Sequence, residues 1–101
     1  MRIEDASVIF VVRFLAGAQE DLGNIDEAQQ QLILKKSNEF LSTNPFPHGN
    51  VVKQLTGIRP PLSRLRIGDW RAFFEIHGSE VFILAIAKKE RAERTIRRLR
   101  A

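Results

Sequence analysis

The chain reads as an α+β domain: a small antiparallel β-sheet with an N-terminal helical hairpin and a C-terminal helix, in the order β-α-α-β-β-β-α. Three observations predict it. Gly68-Asp69 separates two runs that alternate in character, the sequence sign of a hairpin closed by a two-residue turn. Gly78-Ser79 separates a second pair of runs, Trp70–His77 and Glu80–Lys88. Two further stretches, Asn24 to about Ser42 and Glu90–Leu99, carry apolar residues at helical spacing. The 101 residues suit a single domain, 1–101, large enough to bury one core but not two.

From the N-terminus, Ala6–Leu15 is β-branched and aromatic and reads as a first strand. Its near-continuous apolar character predicts burial on both sides. Ala16–Leu22 is a short helical stretch ending at Gly23. Asn24 stands as N-cap with Glu27 three positions on, a capping box that opens the long helix. Ala28, Leu32, Ile33, Phe40 and Leu41 fall on its buried stripe. Asn44-Pro45-Phe46-Pro47 stops it, because proline cannot continue the hydrogen-bond ladder. Phe46–Pro61, with Gly49, Gly57, Pro60 and Pro61, reads as loop. Within it, Val51-Val52-Lys53-Gln54-Leu55 sets Lys53 among apolar residues.

In the first hairpin Ile67 faces Trp70, Arg66 faces Arg71, Leu65 faces Ala72 and Arg64 faces Phe73. Side chains alternate between the faces of a sheet. Leu65, Ile67, Trp70, Ala72 and Phe74 therefore share one face, and Arg64, Arg66 and Arg71 the other. Two arginines opposed across a ladder repel, by about a few tenths of a kcal/mol or more. A structural hairpin gains nothing from that arrangement; an anion site does. In the second hairpin, pairing Ile76 with Val81 sets Phe73 against Leu84, Arg71 against Ile86 and Asp69 against Lys88. Lys88 then joins the arginine face, and Phe82, Leu84 and Ile86 make the rest of that face apolar. The last helix is its expected cover, with Ala92, Ile96 and Leu99 in one stripe and Arg91, Arg94, Arg97 and Arg98 largely outside it.

Charge is uneven along the chain. Residues 1–50 hold four bases and seven acids, net −3; residues 51–101 hold twelve and five, net +7, and the halves sum to +4. A basic half is the footprint of a surface that meets polyanions, although a solubilising face or a contact with an acidic protein has the same composition. No apolar run approaches the ~20 residues of a bilayer span, so no membrane partner is expected. Glu4 and Asp5 stand where a secretory leader would be basic. The absence of cysteine fits a reducing compartment, and a cytoplasmic location is the expectation. His48 and His77 are the only histidines and no carboxylate–histidine spacing repeats, so neither a metal site nor a cofactor is expected.

The residues converge on a patch of Arg64, Arg66 and Arg71, with Lys88 or Lys89 at its open end and Lys53 near it. Arginine forks match phosphate oxygens bidentately, and several around one point stabilise a pentavalent phosphoryl transition state. The parity of Trp70 assigns it to the core. Phe73, across from Arg64, suits core packing and base stacking equally. His77 at a strand end and His48 in a loop read as surface residues rather than general bases. Glu75 shares the arginine parity and reads as their counter-charge.

Asn44-Pro45, then Val52-Lys53-Gln54-Leu55-Thr56-Gly57, then Arg64-Leu65-Arg66-Ile67-Gly68-Asp69-Trp70-Arg71, then Ile83–Ile86 resemble, in this order and spacing, the signature of the RelE/ParE toxin superfamily. The likeness covers nearly the whole chain. The tail Lys88-Lys89-Glu90-Arg91-Ala92-Glu93 resembles the RelE branch, where a basic pair opens the last helix. The resemblance implies the toxin of a toxin–antitoxin pair, with an acidic antitoxin as partner. In the RelE branch the protein enters the ribosomal A site and cleaves messenger RNA, the ribose 2′-hydroxyl attacking the adjacent phosphate. Carried onto this chain, the catalytic set is Arg64, Arg66, Arg71 and Lys89: Arg71 and Lys89 hold the scissile phosphate, and Arg64 and Arg66 orient the nucleophile. Lys53, Lys88, Arg91, Arg94 and Phe73 would lie along the nucleic acid.

One departure matters. The RelE branch commonly places a tyrosine in the last helix, and this chain contains none. Thr95 stands at about the matching position, where it can neither stack on a base nor act as a phenol. The ParE branch shares the fold but inhibits DNA gyrase by binding it. The missing tyrosine favours that alternative; the basic cluster favours the nuclease.

Overall fold

The computed structural model describes residues 9–100. Its elements are β1 (Val11–Phe14), α1 (Ala16–Gly23), α2 (Glu27–Thr43), β2 (Val52–Gln54), β3 (Ser63–Ile67), β4 (Trp70–His77), β5 (Glu80–Lys88), a 3-10 turn over Lys89–Arg91, and α3 (Ala92–Leu99). The strands form one sheet in the order β1-β5-β4-β3-β2. The α+β class and the helical hairpin are as expected. The sheet itself has one strand more, and it is mixed rather than wholly antiparallel: β1 runs parallel to β5. Parallel neighbours need a long crossover, and the helical hairpin together with the rest of the sheet supplies it.

The extra strand is β2. Its glycine- and proline-rich flanks read as loop, yet Val52 pairs with Leu65, Lys53 with Arg64 and Gln54 with Ser63. The expected start of the first strand, residues 6–8, lies outside the described residues. Burial of that strand on both sides is not what the structure shows, since Val11 is 48% exposed. Its apolar run is spent at an edge, where one face meets the helices and the other is open.

The front of the sheet carries the main core. Leu65, Ile67, Ala72, Phe74, Val81, Ile83 and Ile86 pack against Ala18 and Leu22 of α1 and Ile33 and Leu41 of α2. The buried stripe of α2 is Ile33, Ser37 and Leu41. Leu32, expected in that stripe, is 41% exposed. Asp26 rather than Asn24 caps α2, its carboxylate accepting from the Gln29 N–H at 3.0 Å. Asn24 instead closes α1, its N–H donating to the Asp21 carbonyl at 3.1 Å while the Ile25 N–H donates to the Leu22 carbonyl at 3.0 Å. Ile25, the one residue between these caps, turns inward against the core.

On the back of the sheet, Leu62, Phe73 and Ala85 form a second cluster. The last helix covers it as expected, through Ala92, Ile96 and Leu99. Arg100 fixes the far end of α3 by donating to the Glu75 carboxylate at 2.6 Å and to the Pro60 carbonyl at 3.1 Å. No helix among the described residues is long and apolar enough to cross a membrane.

The β4–β5 hairpin departs from simple counting. Ile76 pairs with Val81 and Phe74 with Ile83, but Phe73 then pairs with Ala85. Leu84 is the extra residue of a β-bulge. Beyond it every partner moves by one: Arg71 faces Ala87, and Trp70 faces Lys88. Ile86 consequently turns into the main core, not onto the arginine face.

Candidate functional site

The β3–β4 hairpin closes as expected, with Ile67 opposite Trp70, Arg66 opposite Arg71 and Arg64 opposite Phe73. Gly68 takes φ 58°, a conformation costly for a side chain bearing a Cβ. Cross-strand partners share a face, so Lys53, Arg64, Arg66 and Arg71 all lie on the back of the sheet. The guanidinium of Arg64 is held below its ordinary value by partial burial, then by the charges of Arg71 and Arg66. Its Nη1 donates to the Asn50 carbonyl at 3.3 Å. Nη1 of Arg71 donates to the carbonyls of Gly68 and Trp70, at 2.8 and 2.9 Å. Among the described residues no carboxylate forms an ion pair with any of these three arginines. Glu75, their expected counter-charge, is engaged instead by Arg100 and His77.

Lys89 stands at the rim of this face. Its N–H donates to the Asp69 carbonyl at 2.8 Å, and its Nζ is 3.7 Å from the Asp69 carboxylate. The Gly68-Asp69 turn thus gathers both Arg71 and Lys89. Four expected nucleic-acid contacts fall elsewhere. Lys88 does not join the arginine face: the bulge at Leu84 turns it to the front, where its Nζ sits 5.2 Å above the Trp70 ring. The indole Nε1 of Trp70 donates to Gln29 of α2 at 2.9 Å. Phe73 is 1% exposed beneath α3 and cannot stack on a base. Arg91 and Arg94 line a separate groove of about 440 Å³, together with Lys88, Trp70, Asp21 and Arg98. Arg98 joins Arg91 and Arg94 there, since i, i+3 and i+7 fall on one side of a helical stretch.

Thr95 is buried, and its hydroxyl donates to the Arg91 carbonyl at 2.9 Å. That bond ties its hydroxyl to the helix's own backbone. No group of His, Cys, Asp or Glu among the described residues could hold a metal ion. The arginine face can therefore bind and neutralise an anion, with no side chain poised as a general base, because guanidinium holds its proton.

Residues 12–93 match the model of a family described as the ParE toxin of type II toxin–antitoxin systems, parDE. The chain belongs to this family. No curated protein matches the toxin in sequence. Solved structures show the same fold. The toxin–antitoxin complex RelBE2 from Mycobacterium tuberculosis aligns with TM-score 0.72 at 24% identity, over 80% of this chain and 92% of that one. The RelE–RelB complex of Pyrococcus horikoshii aligns with TM-score 0.66 at 22% identity, over 82% and 98%. A doubly arginine-to-alanine mutant of Escherichia coli toxin RelE, in the free state, aligns with TM-score 0.62 at 19% identity, over 84% and 88%. The toxin is thus a member of the RelE/ParE superfamily by sequence family and by fold.

Proposed function

We propose that this toxin is a ribosome-dependent endoribonuclease that cuts messenger RNA and blocks translation in the cytoplasm. The observation that carries the reading is the set Arg64, Arg66 and Arg71, gathered on one face of the sheet with no carboxylate ion-paired to them among the described residues. A fold keeps such a cluster against its own repulsion when an anion completes it. Phosphoryl transfer to the ribose 2′-oxygen develops charge on the phosphate oxygens, which Arg71 and Lys89 at the turn are placed to meet. Arg64 and Arg66 orient the ribose, and Lys53 extends the positive track along β2. The chain supplies charge stabilisation and positioning; as the 2′-oxygen bonds to phosphorus the P–O5′ bond breaks, and solvent water takes the 2′-hydroxyl proton and returns one to the departing 5′-oxygen. An acidic antitoxin is the partner this charge calls for, and two of the three solved structures aligned with it are toxin–antitoxin complexes.

A second reading has its own support. Thr95 has no aromatic ring and its hydroxyl is bonded to the Arg91 carbonyl, and Phe73 lies under α3, so neither offers stacking or acid catalysis at the phosphate. A toxin inhibiting DNA gyrase by binding alone needs neither.

Primer extension on a reporter message in a coupled translation system separates the two. Ribosome-dependent cuts that vanish in Arg71→Ala support the nuclease. An intact message together with inhibited gyrase supercoiling overturns it. The Arg71→Ala protein should remain within about 0.5 kcal/mol of wild-type stability, since its loss relieves repulsion from Arg66 as it removes two carbonyl contacts. Unfolding of that variant would make Arg71 structural.

A further inference from the structure

At the end of the sheet away from the Gly68-Asp69 turn, β4 outruns β3. Ser63, the first residue of β3, pairs with Phe74, so Glu75, Ile76 and His77 continue with no strand on that side. The direction of their backbone groups follows from β5. Ser79 and Ile83 give their carbonyls to the N–H groups of Val11 and Leu15. By alternation Glu80 and Phe82 face β4, opposite His77 and Glu75. The N–H and C=O of Ile76 therefore point the other way, towards the place of Pro61 in a continued β3. Pro61 answers neither group. It has no N–H, and its carbonyl accepts from Arg100 at 3.4 Å, as the Pro60 carbonyl does at 3.1 Å. Among the described residues the Ile76 N–H has no backbone partner.

Ile76 lines a cavity of about 200 Å³ whose apolar sides come from Phe46, Pro47, Pro60 and Pro61, with the Gln54 amide beside them. We propose that this cavity binds an adenine ring, either of a free nucleoside or of one unstacked base in an RNA chain. Ile76 presents one donor next to one acceptor, the complement of adenine N1 and its 6-amino group. Gln54 complements the other side of the ring, N7 and the second amino proton, the bidentate contact by which glutamine reads adenine. The apolar residues cover the faces of the ring, and Phe46, 51% exposed, is free to stack on it. The volume is below the ~300 Å³ at which pockets for drug-sized ligands begin, which suits one ring system with its sugar outside. Among the described residues no lysine or arginine lines the cavity, and Glu75 does, so a phosphate gains nothing there. A polypeptide strand is the poorer occupant: Phe74 is already paired with Ser63 and the Gly78-Ser79 turn follows His77, leaving room for one rung of a ladder. The site does not depend on the nuclease reading, because Arg64, Arg66, Arg71 and Lys89 play no part in it.

Titration of the whole chain with adenosine, followed by amide NMR, tests the proposal. The expected result is a saturable shift of the Ile76 amide, with smaller shifts at Gln54 and Ser63. Purine riboside, which keeps N1 and N7 but lacks the amino group, should bind about tenfold more weakly. Gln54→Leu should cost about tenfold in adenosine affinity through the lost bidentate pair, and Phe46→Ala about fivefold through lost stacking. Both side chains are exposed, so these variants should melt with the wild type; if one does not, the purine riboside comparison, which needs no variant, decides. An Ile76 amide unmoved by millimolar adenosine, shifts confined to Arg64–Arg71, or equal binding of purine riboside would each overturn the proposal. The source of the base is read with oligoadenylate. If it moves Ile76 at lower concentration than adenosine does, the occupant is an RNA base; if it moves only Arg64–Arg71 while adenosine moves Ile76, the occupant is the free nucleoside. Absence of message cleavage with adenosine binding intact would overturn only the nuclease reading.

Discussion

Arg100→Ala isolates what keeps α3 on the back of the sheet. Arg100 and Glu75 are 15% and 19% exposed, with Nη2 and the carboxylate oxygen 2.6 Å apart. A hydrogen bond to a charged group contributes about 1.5–3 kcal/mol in such surroundings. Contacts to the Pro60 and Pro61 carbonyls, at 3.1 and 3.4 Å, add less because they are long. Glu75 keeps one partner in the variant, His77 at 2.8 Å, so it is not left as a bare buried charge. The net loss should be about 2 kcal/mol, or a fall in Tm of about 10 °C for a domain of this size. Thermal melting by circular dichroism at neutral pH measures it. A cycle with Glu75→Ala should return a coupling of about 1–2 kcal/mol, as expected for two groups in direct contact. If Arg100→Ala melts within about 2 °C of wild type, or the coupling is zero within error, the clamp is absent in solution. The apolar stripe Ala92, Ile96 and Leu99 would then hold α3 alone.

Three more expectations follow from the same contacts. Burial alone would raise the Glu75 pKa, but hydrogen bonds from His77 and Arg100 and their charges outweigh it, leaving it below the ordinary 4.5. Its contribution to stability is therefore present above that value and fades as acid carries the pH down through the lowered one, so Glu75→Gln should flatten the acid side of the stability curve. Phe73→Leu should keep activity, whereas Phe73→Ala should cost about 3–4 kcal/mol and reduce activity only by unfolding, as chemical denaturation and a cleavage assay would show together. Gly17→Ala should destabilise by about 1 kcal/mol despite the better helix propensity of alanine, because the new Cβ meets a backbone oxygen at the bulge; a stabilised variant would show that α1 can slide.

The first hairpin was legible residue by residue because Gly68-Asp69 fixes the turn and alternation fixes both faces. The cover of the back face was legible too, from Ala92, Ile96 and Leu99. What was not legible has physical causes. Three-residue β2 earns its place only through Leu65, Arg64 and Ser63 across the ladder, contacts that no local pattern carries. The N-cap moved from Asn24 to Asp26 because both residue types cap well and tertiary packing of Ile25 chose between them. Glu75 found Arg100, a residue 25 positions on, rather than the arginines that share its face.

The bulge has the largest functional consequence. Counting by twos from Ile76 and Val81 places Lys88 with the arginines, and one unpaired residue at Leu84 reverses every assignment after it. The pair Lys88-Lys89 then cannot act as a single phosphate grip. Lys88 turns forward over Trp70, while Lys89 bends back to Asp69 beside the arginine face. The chain leaves the sheet between these two lysines and enters α3, whose Arg91, Arg94 and Arg98 continue the forward side. Much of the +7 half of the sequence therefore falls on two separate surfaces, the arginine face and the groove beside Lys88. On the proposed nuclease reading, Arg71→Ala should abolish message cleavage, whereas charge reversal at Arg94 and Arg98, on the forward side, should leave it unchanged.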